Sequence, residues 1–123
     1  MGITVTLFAF PKADIDHSKS VERQLHVAYQ IEAGKRFMNL LNINPETEEG
    51  TVGEFFTWSD PTNVAVLAIA ANIHKIYTHM SMDEVDGHLV QFDRSLLVDA
   101  LCLFSQALKL VVCGEHFVAL RWA

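Results

Sequence analysis

The chain has 123 residues, half of them hydrophobic, and a net charge of −6 from nine basic and fifteen acidic side chains. This length predicts a single domain, residues 1–123, that forms its own core without disulfides or metals. The charge argues against a nucleic-acid-binding protein, which needs a basic surface to displace counterions. The longest apolar run, residues 64–71, is far shorter than the roughly 20 residues of a membrane span.

The cysteines indicate the cellular compartment of the protein. The chain has two cysteines, Cys102 and Cys113, and its first residues lack the basic region of a signal peptide. Both features favour a reduced, cytoplasmic protein. Cys102 lies in the apolar stretch "ALCLF", which predicts a buried thiol.

The N-terminal third predicts a strand followed by a helix. Residues 3–10 alternate, with Ile3 and Val5 opposite Thr4 and Thr6, which is typical of a strand. Beyond Pro11, apolar side chains recur at helical spacing: Val21, Leu25, Ala28, Tyr29, Phe37, Leu40 and Leu41. They predict an amphipathic helix, with Asp16, Ser18 and Ser20 as candidate N-terminal caps. This helix is expected to bend near Gly34.

The middle of the chain predicts a strand, a helix and a further strand. Residues 51–58, "TVGEFFTW", form the second strand, and the pair Asp60-Pro61 begins a helix that reaches about Met80. That helix is apolar almost all round, apart from a polar line of three residues: Asn72, Lys75 and His79. Residues 87–92, "GHLVQF", predict a short third strand.

The C-terminal third predicts a capped helix and a hairpin. Asp93 caps a helix from Arg94 to about Leu110, and residues 108–123 form a hairpin that turns at Gly114. The fold class is therefore α/β or α+β, with three helices packed on a central sheet, an N-terminal strand and a C-terminal hairpin.

Candidate metal ligands do not have the required spacing. His74 and His79 are five residues apart, so they point about 140° apart on a helix, whereas a zinc pair needs a spacing of three or four. Residues 82–93 resemble a calcium loop, but Met82 occupies the first ligand position. The sequence predicts a protein with no metal and no cofactor.

One pair of residues favours an enzyme. Across a tight hairpin at Gly114, Cys113 and His116 would be neighbours, and a thiol beside an imidazole is a minimal activated nucleophile. The alternative is that Gly114 only makes the turn. No catalytic signature supports the pair, and we predict that the protein is not an enzyme.

The negative charge is concentrated in the middle of the chain. Residues 37–93 hold nine acidic residues and one basic residue, Lys75, so they carry −8. The same stretch contains Phe56 and Trp58, which can serve as apolar anchors. In a regular strand Phe55 would face the core, opposite Glu54, Phe56 and Trp58. The candidate partner-binding residues are Glu46, Glu48, Glu49, Glu54, Phe56, Trp58, Asp60, Asp83, Glu84 and Asp86.

These features predict a small acidic module that binds a basic protein partner, as a stoichiometric inhibitor or a toxin-neutralising immunity protein. The alternatives are a small enzyme that uses Cys113 and His116, or a self-associating structural subunit. The high apolar content also predicts a homodimer, joined through the edge of a terminal strand, "ITVTLF" or "HFVALRW".

Overall fold

The fold is α+β in a computed structural model that describes residues 2–40, 53–54, 63–80, 84–85, 88–89 and 92–122. In chain order the elements are β1 (Ile3–Pro11), a 3-10 turn (Lys12–Asp14), α1 (Val21–Gln24), β2 (His26–Ala33), α2 (Lys35–Leu40), β3 (Gly53–Glu54), α3 (Asn63–Met80), β4 (Glu84–Val85), β5 (His88–Leu89), α4 (Arg94–Cys113) and β6 (His116–Trp122). The predicted strand at residues 3–10 is confirmed as β1.

Three long antiparallel strands and one short one form the main sheet, in the order β2-β1-β6-β3. β1 lies in the middle, paired with β2 on one side and β6 on the other. The prediction that "ITVTLF" offers a free edge is therefore wrong, because both edges of β1 are occupied. β6 pairs on its second edge with the two residues of β3.

The prediction of a long helix over residues 21–41 is also wrong. Only the short helices α1 and α2 form, and β2 lies between them. Tyr29, Ile31 and Ala33 pack toward the core while Gln30 and Glu32 are exposed, which is the period of a strand. The register with β1 shifts between Leu7 and Phe8 so that Ala28 is skipped, as in a β-bulge. The bulge interrupts the alternation.

Gln24 holds the connection between β1 and β2. Its side-chain oxygen accepts from the backbone N–H of Asp16 at 2.7 Å, and its Nε2 donates to the Asp16 carbonyl at 2.9 Å. Asp16 in turn accepts from the backbone N–H and the hydroxyl of Ser18. The bond from the Ser18 hydroxyl, and then the bond from the Ser18 backbone N–H, lower the pKa of the Asp16 carboxyl. Asp16 and Ser18 therefore shape a loop here and cap no long helix.

Helix α4 begins as predicted and ends later. Asp93 caps it by accepting from the backbone N–H of Ser95 at 3.0 Å. The predicted C-terminal hairpin is wrong, because the helix continues to Cys113 and Gly114 is its left-handed C-cap, with φ 69°. β6 alone follows. Glycine is common both at helix C-caps and in tight hairpins, so Gly114 alone does not show which of the two structures forms.

Replacing Gly114 by alanine is expected to lower the free energy of unfolding by about 1 kcal/mol, since a Cβ is strained at positive φ. Gly34→Ala is the matched control, because a Cβ there meets no atom within 4 Å and the backbone needs no positive φ. Urea denaturation of both variants checks the difference. Equal midpoints for the two variants would contradict this account of the helix end.

The core lies between α4 and one face of the sheet. Val5, Leu7, Ile31 and Leu120 of this inner face belong to one buried cluster with Phe104 and other side chains of α4. Helix α3 packs mainly against α4, and it contributes Ile69 and Ile76 to the same cluster. The sheet and α4 thus form two layers, and α3 packs alongside α4.

The predicted polar line on α3 does not face solvent throughout. Asn72 is only 2% exposed and lies between Ile69 and Ile76 on the buried side, whereas His74 and Tyr77 are exposed. Within the described part of the chain, the Asn72 Nδ2 has no hydrogen-bond partner. The polar line noted in the sequence therefore includes a residue on the buried side of this helix.

Helix α4 is, among the described residues, the one helix long and apolar enough to cross a membrane by length and composition alone. That is weak evidence for a span, because the core helix of a soluble protein meets the same criterion. Here α4 packs against α3 and three strands of the main sheet.

Two residues of the predicted third strand form a strand outside the main sheet, and residues 87, 90 and 91 fall outside the described residues. His88–Leu89 is strand β5, which pairs with β4, so that Val85 lies opposite His88. The two residues between them in the sequence are Asp86 and Gly87, a dipeptide typical of two-residue hairpins.

Candidate functional site

The predicted partner-binding residues lie mostly outside the described residues. Glu54 is in β3, where its backbone lies opposite Arg121 of β6, and Glu84 is in β4, opposite Leu89. The remaining members fall outside the described ranges, as does Phe55: Glu46, Glu48, Glu49, Phe56, Trp58, Asp60, Asp83 and Asp86. A single negative face made by these residues therefore stays a prediction.

The charge of the chain divides sharply between its parts. Residues 37–93 carry −8, from nine acidic residues and Lys75. Residues 1–36 and residues 94–123 carry +1 each. The nine acidic residues lie on both sides of α3 in the sequence. We call residues 1–36 and 94–123, which include β1, β2, α4 and β6, the scaffold, and its charge is nearly balanced.

The acidic residues lie in two stretches of sequence, one leading into helix α3 and one following it. The length of the helix sets the distance between the points where these stretches join it. The helix has 18 residues, so its ends are about 27 Å apart at 1.5 Å per residue. Glu46, Glu48, Glu49 and Asp60 precede it, whereas Asp83, Glu84 and Asp86 follow it. A partner that contacts both regions must reach across a comparable distance or meet segments that converge.

The outer face of the sheet, opposite the buried cluster, carries an aromatic patch. We define the outer face by Phe8, Phe10, Val27, Phe117 and Ala119, which lie in register with one another across the three long strands. Val27 is 56% exposed, and the three phenylalanines are partly exposed. An antiparallel sheet covered on one side normally shows polar residues on the other, so this patch is unusual.

A basic or imidazole side chain lies against each phenylalanine of the outer face. The Arg121 guanidinium is 5.7 Å from the Phe8 ring centroid, and the Lys12 Nζ is 5.7 Å from that of Phe117. The rings of His26 and Phe10 are 5.2 Å apart. Such contacts cover apolar rings and add a modest attraction when the side chain is cationic. The outer face thus combines apolar area with positive charge.

Sequence reasoning missed the outer face, although the signal was present. The alternation that places Thr4 and Thr6 opposite Ile3 and Val5 continues along β1 to Phe8. Extending it by two further residues puts Phe8 and Phe10 on the threonine side. The position of Val27 on the outer face could not be predicted in this way, because its strand was predicted to be a helix.

The Cys113–His116 hypothesis loses its geometric basis. Cys113 is the last residue of α4 and is exposed, and His116 begins β6 after the helix cap. No hydrogen bond joins the two side chains within the described ranges, where the His116 Nδ1 is buried without a partner. The thiol is therefore not positioned against the imidazole by a hairpin.

Cys102 was predicted to be buried and is instead exposed, on the side of α4 near β2. Its neighbour is Tyr29 of β2. Partial burial raises the pKa of the Tyr29 hydroxyl, and the nearby Cys102 and Asp99 raise it further. The three residues mark where β2 packs on α4.

Metal ligands do not converge in the described ranges, where no group of three or more His, Cys, Asp or Glu side chains is placed to hold an ion. His79 instead lies edge-on to Phe92, with ring centroids 5.4 Å apart, and Phe92 contacts Phe37 in the same manner at 5.5 Å. This histidine is part of an aromatic contact between α3, α2 and the start of α4.

Comparison with family models, curated proteins and solved structures found no match to this chain.

Proposed function

We propose that this protein is a small, non-enzymatic cytoplasmic module that binds a basic protein partner in a stoichiometric complex, as an inhibitor or an immunity protein does. The observation that carries the proposal is the division of charge. The scaffold has nearly balanced charge, whereas residues 37–93 between its two parts carry −8. Concentrated negative charge attracts a basic partner and raises the association rate.

The acid-rich stretch before α3 is connected to the sheet at β3. Gly53 and Glu54 pair with Trp122 and Arg121 of β6, and the Trp122 side chain is buried. A binding segment fixed to a rigid strand loses less conformational entropy when it binds than a free segment does. In this proposal Phe56 and Trp58 supply the apolar anchors, and the carboxylates orient the partner.

Affinity capture with three versions of the protein tests the proposal. The first is the wild type, and the second carries Glu46→Lys, Glu48→Lys and Glu49→Lys. The matched control carries Asp14→Lys, Asp99→Lys and Glu115→Lys, which are three exposed scaffold positions. Each triple variant changes the net charge from −6 to 0, because each reversal adds two charges. The two variants therefore differ in where the charge changes and not in its total.

The expected result is a basic protein retained in a fixed ratio by the wild type and by the scaffold variant, and lost from the segment variant. Extract from the source cells supplies the partner, and size-exclusion chromatography gives the ratio. Equal loss from both variants would mean that total charge alone governs retention. Equal retention by all three would show that Glu46, Glu48 and Glu49 do not contribute to binding.

A further inference from the structure

The main sheet ends in a long edge strand. β2 is outermost in the order β2-β1-β6-β3, and among the described residues only β1 pairs with it. In the same ranges, the backbone hydrogen bonds outside the regular elements do not involve β2. The strand has eight residues and lacks proline and lysine, which commonly protect natural edge strands from pairing. We infer that this edge pairs with the same edge of a second copy, so that two sheets join into one.

The chemistry of a strand edge specifies what covers it. Unpaired backbone N–H and C=O groups alternate along the edge, so the occupant is another extended backbone. Antiparallel pairing is compatible with an identical strand, because a two-fold axis perpendicular to the sheet sets each strand against its own copy. The homodimer predicted from composition thus uses a strand edge, but it uses β2 and not "ITVTLF" or "HFVALRW".

The bulge at Ala28 determines the register of this pairing. A bulge disrupts the pleat, so the regular part of β2 is residues 29–33. A two-fold symmetric pairing of this segment with itself is centred on Ile31. Gln30 then lies opposite Glu32 of the other copy, twice, and both side chains are exposed. The glutamine amide can donate to the carboxylate, which makes a favourable cross-strand pair.

The distribution of charge favours self-association at β2. Residues 37–93 carry −8, and the acid-rich stretch before α3 joins the sheet at β3, on the opposite edge. Pairing at β2 places the two β3 strands seven strand spacings of about 4.8 Å, or roughly 34 Å, apart. That distance is several times the screening length of about 8 Å at physiological salt. Within residues 29–33 the one charged side chain is Glu32.

The inference does not depend on the proposed partner. Both acidic stretches lie at the outer ends of the joined sheet, so each copy can bind a partner in the dimer or alone. Pairing over residues 29–33 buries less area than a standard protein interface, so the expected dimer is weak and forms at micromolar to submillimolar concentrations. Sedimentation velocity over that range measures its dissociation constant.

Exchanging the amide and the carboxylate tests the register. Gln30→Glu sets carboxylate against carboxylate twice and should raise the dissociation constant about tenfold or more. The double variant Gln30→Glu with Glu32→Gln again sets an amide opposite each carboxylate, and should return the constant to within about threefold of the wild type. Thr6→Glu is the matched control, because Thr6 pairs with Gln30 on the middle strand and the change adds the same charge. It should change the constant less than about twofold.

Nuclear magnetic resonance of the isotope-labelled protein over the same concentrations locates the interface. Backbone amide shifts should change with concentration at residues 29–33 and little elsewhere. Circular dichroism melting confirms that each variant is folded. A wild type that stays monomeric at submillimolar concentration, shift changes centred on another part of the chain, or no recovery in the exchanged double variant would overturn the inference.

Discussion

Replacing Phe104 by alanine is expected to lower the free energy of unfolding by about 3–5 kcal/mol. Phe104 is fully buried in α4, in the cluster that joins this helix to the sheet and to α3. Alanine leaves a cavity within this cluster, and the surrounding side chains can fill it only in part. Urea denaturation of Phe104→Ala and of the milder Phe104→Leu measures the loss.

Adjacent valines supply the internal control for this prediction. Val111 is 5% exposed and belongs to the cluster, while Val112, the next residue, is 58% exposed. Both changes to alanine remove the same atoms from the same helix. Val111→Ala should cost roughly 1–2 kcal/mol and Val112→Ala less than about 0.5 kcal/mol. Comparable losses at the two positions would show that α4 presents a different face to the sheet.

Replacing Trp58 by alanine is expected to speed dissociation of the proposed complex by about thirtyfold, or about 2 kcal/mol. Trp58 is an aromatic residue in the acid-rich stretch and lies outside the described residues. An anchor acts mainly on the dissociation rate, because its contacts form after the encounter. Surface plasmon resonance with the captured partner measures both rates.

Phe55→Ala is the control for the anchor assignment. In a regular strand Phe55 would lie on the core side, so its replacement should lower the stability of the free protein and leave the dissociation rate unchanged. Trp58→Ala should show the opposite pattern. A Trp58 that is wholly buried within one chain would contradict its role as an anchor.

Two parts of the fold were predictable because their local signals agree. β1 has a regular alternation closed by Pro11, and α4 has an Asp93 cap before a long apolar stripe. Helix α3 reaches Met80, as predicted. In β1 and α4 the chain's own spacing and a capping or breaking residue specify the same element.

The β2 region was mispredicted because a local irregularity concealed its period. The shift at Ala28 breaks the alternation after Val27, while Val21, Leu25, Ala28 and Tyr29 imitate helical spacing. What decides the outcome is pairing with β1, a contact between distant parts of the chain. Single-sequence periodicity carries no information about that partner.

The candidate site was predictable only in composition. The excess of acidic residues in the middle of the chain is a property of the sequence, and it is the basis of the proposed function. Which of these carboxylates lie together depends on how the chain joins α3, β3 and β4, and spacing along the chain does not determine it. The outer face shows the same limit, since Phe8 and Phe117 become neighbours only through the β1–β6 pairing.

Attraction of the partner by the acidic segments should be screened by salt, so the dependence of the association rate on ionic strength tests whether these segments steer binding. Stopped-flow mixing with the captured partner measures it for the wild type and the two triple variants. A steep fall with salt is expected for the wild type and for the scaffold variant. A rate about tenfold lower at low salt, and nearly independent of salt, is expected for Glu46→Lys with Glu48→Lys and Glu49→Lys. The same salt dependence in all three proteins would contradict binding through the acidic segments.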